Sequence, residues 1–253
     1  MFDIALLFLA GLVGGILNAV AGGGTFITFP ALVFVGVPPV IANATATVAA
    51  LPGYLAATYG FRRDLAAMEG VRMRHLTLWT MAGGVIGAGL LLVSSNQAFS
   101  ALVPFLLLIA TVIFIWAQQV RAWAARYARV VTPFGLGTLL PVAVYGGYFN
   151  GGLGIILLAL FAMWGLRDIH QMNGLKSWLS VALSLIACVI FALGGSIAWG
   201  PGALMALGTV LGGFIGPSVA RRIPMPTLRA LIACIGFGTT AIFFWRLIQG
   251  AST

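Results

Sequence analysis

Hydrophobic residues run in long stretches from Ile4 to Ile248, broken only by short polar or glycine-rich joints. Ten apolar segments follow from this pattern. They lie at roughly 4–20, 24–37, 40–60, 75–93 and 98–117, then 131–149, 152–165, 172–193, 198–219 and 228–248. Several exceed the length needed to cross about 30 Å of hydrocarbon. The runs are continuous and not alternating, which predicts helices in place of a barrel. Segments two and seven are short for a crossing, which predicts broken or re-entrant helices. The expected fold class is an all-α polytopic membrane protein.

Composition supports this and removes other classes. The chain is 61% hydrophobic and 7% charged, whereas a soluble surface needs roughly a quarter charged residues. The formal net charge of +9 sits in short clusters between apolar runs, as topology signals do, so nucleic acid is not an expected partner. The lipid bilayer is. The first segment lacks a basic start and carries Gly14, Gly15 and Asn18, residues that recur inside the chain. It therefore reads as structure and not as a cleaved leader. Cys188 and Cys234 lie inside apolar runs and read as packing residues. Neither His75, read as interfacial, nor His170 has a companion at metal-ligand spacing. No cofactor, nucleotide-binding motif or ATPase partner is evident, and no paired acids or nucleophile–base pair suggests an enzyme.

The chain repeats itself. Gly14-Gly15-Ile16-Leu17-Asn18 returns as Gly146-Gly147-Tyr148-Phe149-Asn150, and Ile113-Phe114-Ile115-Trp116 as Ile242-Phe243-Phe244-Trp245. This divides the chain into a transmembrane repeat at 1–118, a basic cytoplasmic linker at 119–130 and a second repeat at 131–253. Equivalent loops differ in charge. The loop with Arg62, Arg63, Arg72 and Arg74 matches an uncharged one near 194–200. Uncharged Ser94-Ser95-Asn96-Gln97 matches the loop with Arg221, Arg222 and Arg229, and the turn at Val37-Pro38-Pro39 matches Arg167, Asp168, His170 and Lys176. Parallel repeats would put equivalent loops on one side with like charge. The positive-inside bias therefore predicts two inverted-topology repeats of about five segments each. Arg121, Arg126 and Arg129 mark the linker as cytoplasmic and leave both termini outside; Arg246 is the exception. Inverted repeats predict a secondary transporter working by alternating access, with a passive anion channel as the alternative.

The site is expected at the repeated breaks. Three glycines, Gly22, Gly23 and Gly24, separate Asn18 from Thr25. They are poor helix formers, and backbone exposed in a bilayer tends to line a cavity. Free N–H groups at the start of segment two, near Thr25, would suit an anion. Close helix packing is the plainer explanation of the glycines. The second copy is Asn150-Gly151-Gly152-Leu153-Gly154. Asn18 and Asn150 would meet near the midplane, either binding substrate or capping the broken helices. Asn43 and Thr47, like Asn173 and Ser177, stand four apart on one helix face. They too suit an oxyanion, unless the asparagines cap helix starts and the hydroxyls back-bond within their helices. Lys176 reads as a snorkelling anchor at the mouth of segment eight, with anion binding as the alternative. The acids Asp3, Asp64, Glu69 and Asp168 all fall outside the hydrocarbon, so the expected substrate is a small anion. Trp116, Trp164, Trp199 and Trp245 read as interface anchors. Trp178 could face either lipid or substrate.

These stretches resemble the TauE/SafE family of sulfite exporters, also called TSUP or DUF81. The resemblance is carried by GLVGGILNAVAGGGTFITFPAL at 11–32, IANATATVAALPGY at 41–54 and YGGYFNGGLGIILLAL at 145–160, with GGVIGAGL and GGFIGPSV at 83–90 and 212–219. It implies a multi-pass permease of the cell inner membrane for small, often sulfur-containing anions such as sulfite, sulfoacetate or related organosulfonates, with no cofactor. A homodimer is left open. The family's motif falls on Asn18, Gly22, Gly23, Gly24 and Pro30, and on Asn150, Gly151, Gly152 and Gly154. Ile155-Ile156 stands where further glycines are expected, which implies unequal halves.

Overall fold

The computed structural model describes residues 2–20, 22–126, 132–220 and 225–250. Arg129, Arg221 and Arg222, used above as topology signals, lie outside them. The helices are α1 Phe2–Val20, α2 Thr25–Phe34, α3 Pro39–Gly60, α4 Arg62–Ala66, α5 Met73–Val93, α6 Asn96–Ile115, α7 Ala117–Arg126, α8 Leu136–Tyr148, α9 Leu153–Met163, α10 Ile169–Leu193, α11 Trp199–Ala220 and α12 Met225–Gly250. Each of the ten apolar segments corresponds to one helix. The other two are α4, in a basic loop, and α7, which makes most of the expected linker helical. Among the described residues, six helices are long and apolar enough to cross a membrane: α1, α3, α5, α6, α10 and α11. The protein is thus an all-α, polytopic membrane protein. Leu90, Leu193, Phe214 and Trp245 are exposed on its outer surface, as lipid contact requires and water would penalise.

Small residues set how closely the helices pack. A methyl group on Gly15 would strike the Thr209 carbonyl, and one on Gly53 would strike the same group, so α1, α3 and α11 touch backbone to backbone. Gly83 and Gly87 do the same for α5 against α8. Close approach of this kind replaces the hydrophobic drive that lipid removes.

Contacts also fix helix directions. Gly11 lies against Met205 and Gly15 against Thr209, so α1 and α11 run the same way. The helix α3 runs with them, because Gly53 meets Thr209 and Gly60 meets Pro217. Gly83 meets Ala143 and Gly87 meets Val144, so α5 and α8 run together. The Trp178 indole donates to Thr77 Oγ1 at 2.9 Å, and Gly194 meets Leu92, which adds α10 to that set. The two sets are opposed. Phe61, just past the end of α3, meets His170 at the start of α10, while Thr45 near the start of α3 accepts from Ala198 beyond the end of α10. Likewise α6 and α12 are antiparallel, with Phe105 on Phe244 and Thr111 against Gly236.

The short helices do not cross. At 10 residues and a rise of ~1.5 Å per residue, α2 covers only half the hydrocarbon. It folds back along α1, with Thr28 against Gly14 and Phe34 bordering the same groove as Phe2 and Leu6. The 11-residue α9 returns along α8 in the same way, and the Trp164 indole near its end donates to Thr138 near the start of α8 at 3.2 Å. Trp164 is therefore buried and is not an interface anchor. Trp116, Trp199 and Trp245 are exposed, as expected of anchors. Cys188 is half-buried, while Cys234 is exposed.

Candidate functional site

The two broken hairpins meet. Gly22 and Gly154 approach so closely that a methyl group on either would overlap the other's backbone. Gly22 has φ +79° and Gly152 has φ +74°, a left-handed conformation that glycine adopts without strain. The breaks thus need glycine twice over, for backbone shape and for contact.

At the first break Asn18 takes the capping role. Its Oδ1 accepts the Gly24 N–H at 2.8 Å. That satisfies one of the groups expected to be free at the start of α2. The Phe26 and Ile27 N–H groups bond to Gly23 and Gly24 carbonyls, so this helix end is more closed than the sequence suggests. At the second break the Tyr145 hydroxyl donates to the Gly151 carbonyl at 2.6 Å, and Thr25 Oγ1 reaches the Asn150 carbonyl at a long 3.5 Å. The Asn150 side chain is different. It is 2% exposed, and neither its oxygen nor its nitrogen has a partner within hydrogen-bond geometry. An unpartnered buried amide is costly, and native proteins keep few of them.

Helices α3 and α10 each bring a polar stripe to these breaks. Residues 42–47 and 172–177 are buried without interruption. Asn43 Nδ2 donates to the Tyr148 carbonyl at 2.8 Å, leaving its own oxygen unpartnered. Thr47 back-bonds to the Asn43 carbonyl at 2.9 Å. Asn173 Oδ1 accepts from Lys176 Nζ at 2.7 Å, and Ser177 Oγ is buried without a partner. Neither asparagine caps a helix start: α3 begins at Pro39 after Pro38, and the cap of α10 is Asp168, which accepts from the His170 and Gln171 N–H groups at 2.8 and 3.3 Å.

Lys176 is the main correction. It does not snorkel, because it is 1% exposed. Its stem packs against Gly154, and its ammonium also donates to the Ala19 carbonyl at 3.1 Å. The lysine therefore joins the end of α1, the start of α9 and α10 at one place. Trp178, next along but one, faces neither lipid alone nor this space, since its indole bonds to α5.

Two residues were missed. The buried Tyr54 hydroxyl faces Asn150, and Ser184 Oγ is buried and unpartnered. Their signal was in the sequence. Asn43, Thr47 and Tyr54 have the same spacing as Asn173, Ser177 and Ser184. Steps of four and seven keep a single helix face.

The sequence profile of the family described as sulfite exporter TauE/SafE matches residues 7–243. The chain belongs to that family. Its members are transporters and not enzymes. Curated relatives are similar over nearly their full length. A probable membrane transporter protein of Haemophilus influenzae is 28% identical over 94% of this chain and 93% of its own. The probable membrane transporter protein ORF9 of a Sinorhizobium species is 29% identical over 92% and 88%, and the probable membrane transporter protein YfcA of Escherichia coli K12 is 24% identical over 92% and 86%. No solved structure matches.

Proposed function

We propose that this TauE/SafE protein is a secondary transporter of small anions, chiefly sulfur oxyanions or organosulfonates, acting by alternating access in the cytoplasmic membrane. Residues 1–118 and 131–253 form its two inverted repeats, and the substrate binds where their broken hairpins meet. The carrying observation is the junction at Gly22 and Gly154, against which the buried Lys176 side chain packs, with the buried Asn150 amide at the second break and the buried Ser177 hydroxyl next along from the lysine both lacking a well-formed hydrogen bond. Groups of this kind suit an anion that has left its water, because they replace its hydration shell.

The inversion has support of its own. Equivalent helices run oppositely: α3 against α10 and α6 against α12 by direct contact, and α5 against α11 through the two opposed sets. In such a frame the halves can rock about the shared breaks and open the site to each side in turn.

A thermal-shift screen of purified protein with sulfite, sulfate, thiosulfate, sulfoacetate and simple carboxylates tests the substrate class. Stabilisation by at least one sulfur oxyanion and not by carboxylates is expected. Stabilisation by carboxylates alone, or by none of these, would refute it.

A further inference from the structure

Resting on the anion-transport reading, we propose that Lys176 makes this site selective for singly charged anions, so that monovalent sulfonates and hydrogen sulfite are taken in preference to dianions.

Among the described residues, Lys176 is the only charged side chain that is buried. Its ammonium has three donors. Two are engaged, by the Ala19 carbonyl and the Asn173 amide oxygen, and both acceptors are neutral. One donor direction remains, and the protonated ammonium has no buried counter-charge among the described residues. A buried charge without a counter-charge is costly, and a bound anion supplies one.

Helix dipoles add little to this charge. An isolated helix start carries roughly half a positive charge, and two such starts with Lys176 would suit a dianion. At each break, however, the end of one helix faces the start of the next: α1 runs into α2, and α8 into α9. The opposed partial charges offset each other. The α2 start is further quenched by Asn18 accepting the Gly24 N–H, and the carbonyl of Ala19 at the α1 end points at the lysine itself. The remaining contributors, Asn150, Ser177 and the Tyr54 hydroxyl, are neutral and bring geometry without charge. A monoanion beside Lys176 gives a neutral loaded site. A dianion leaves one negative charge buried without a partner.

The test compares methanesulfonate with sulfate. Both are tetrahedral at sulfur and differ by one charge. Binding to purified protein is measured by calorimetry at one pH and matched ionic strength. The wild type should bind methanesulfonate at least tenfold more tightly than sulfate. Lys176→Met should remove methanesulfonate binding, and Lys176→Arg should retain the preference. Sulfate binding as tightly as methanesulfonate in the wild type would overturn the proposal while leaving anion transport standing. So would unchanged methanesulfonate binding in Lys176→Met. Should that variant fail to fold, the wild-type comparison decides alone. If neither anion binds and the wider screen is also negative, the transport reading itself falls.

Discussion

Asn18 and Asn150 hold equivalent places in the chain, yet their amides do different things. Asn18 is tied to the Gly24 N–H, whereas the buried Asn150 amide makes no well-formed hydrogen bond and faces only the Tyr54 hydroxyl. Removing a capping side chain costs about 1 kcal/mol. Removing one that makes no well-formed hydrogen bond costs less. Asn18→Ala should therefore lower the melting temperature of the purified protein, and Asn150→Ala should leave it near that of the wild type. Anion-induced stabilisation should show the reverse, surviving in Asn18→Ala and vanishing in Asn150→Ala. A destabilised Asn150→Ala that still responds to anion would show that its amide is structural. Residue-level reading of the sequence reached both asparagines, because the repeat flags them. It did not reach the burial of Lys176. A lysine seven residues into a helix, near Arg167 and His170, has the pattern of an interfacial anchor. Only the arrival of the α1 break and Gly154 beside α10 encloses it. That contact spans 157 residues of chain, and no local pattern encodes it.

Helices were far more legible than contacts. Apolar runs of about 20 residues fix a membrane helix almost by length alone, and all ten expected segments formed. The short second and seventh segments were also recognisable, since three glycines or a Gly-Gly-Leu-Gly run cannot sustain a helix. What remained hidden was where α2 and α9 go after the break, because both outcomes bury the same apolar residues. The α7 helix was hidden by its charges, which read as a linker, although Ala124 is buried among the same residues as Phe161 of α9. Helix direction carries a prediction at this scale. With α3 and α11 parallel, and α5 and α10 opposed to them, the joint at 61–72 and the joint at 194–198 should lie on opposite faces of the membrane. Single cysteines placed in residues 62–74 and 194–200, labelled in intact cells with an impermeant thiol reagent, should react from opposite sides. Labelling from one side only would contradict the inverted arrangement.

At the scale of the whole molecule, the described residues are almost all helical, and six of the helices are long and apolar enough to cross a membrane. The protein's polar groups are concentrated on the facing stripes of α3 and α10 and on the two breaks that cross at Gly22 and Gly154. A fixed pore would need a continuous path, whereas here two backbones touch at the centre of the proposed route. On the proposed alternating-access reading, passage requires the halves to move, so that the site is occupied from only one side at a time. The most direct measurement is tracer counterflow in proteoliposomes, using an anion that stabilises the purified protein. The account predicts saturable uptake of labelled anion that is accelerated by the same unlabelled anion inside and is lost in Asn150→Ala. Non-saturating uptake with a steady anion conductance and no acceleration from the opposite side would contradict it.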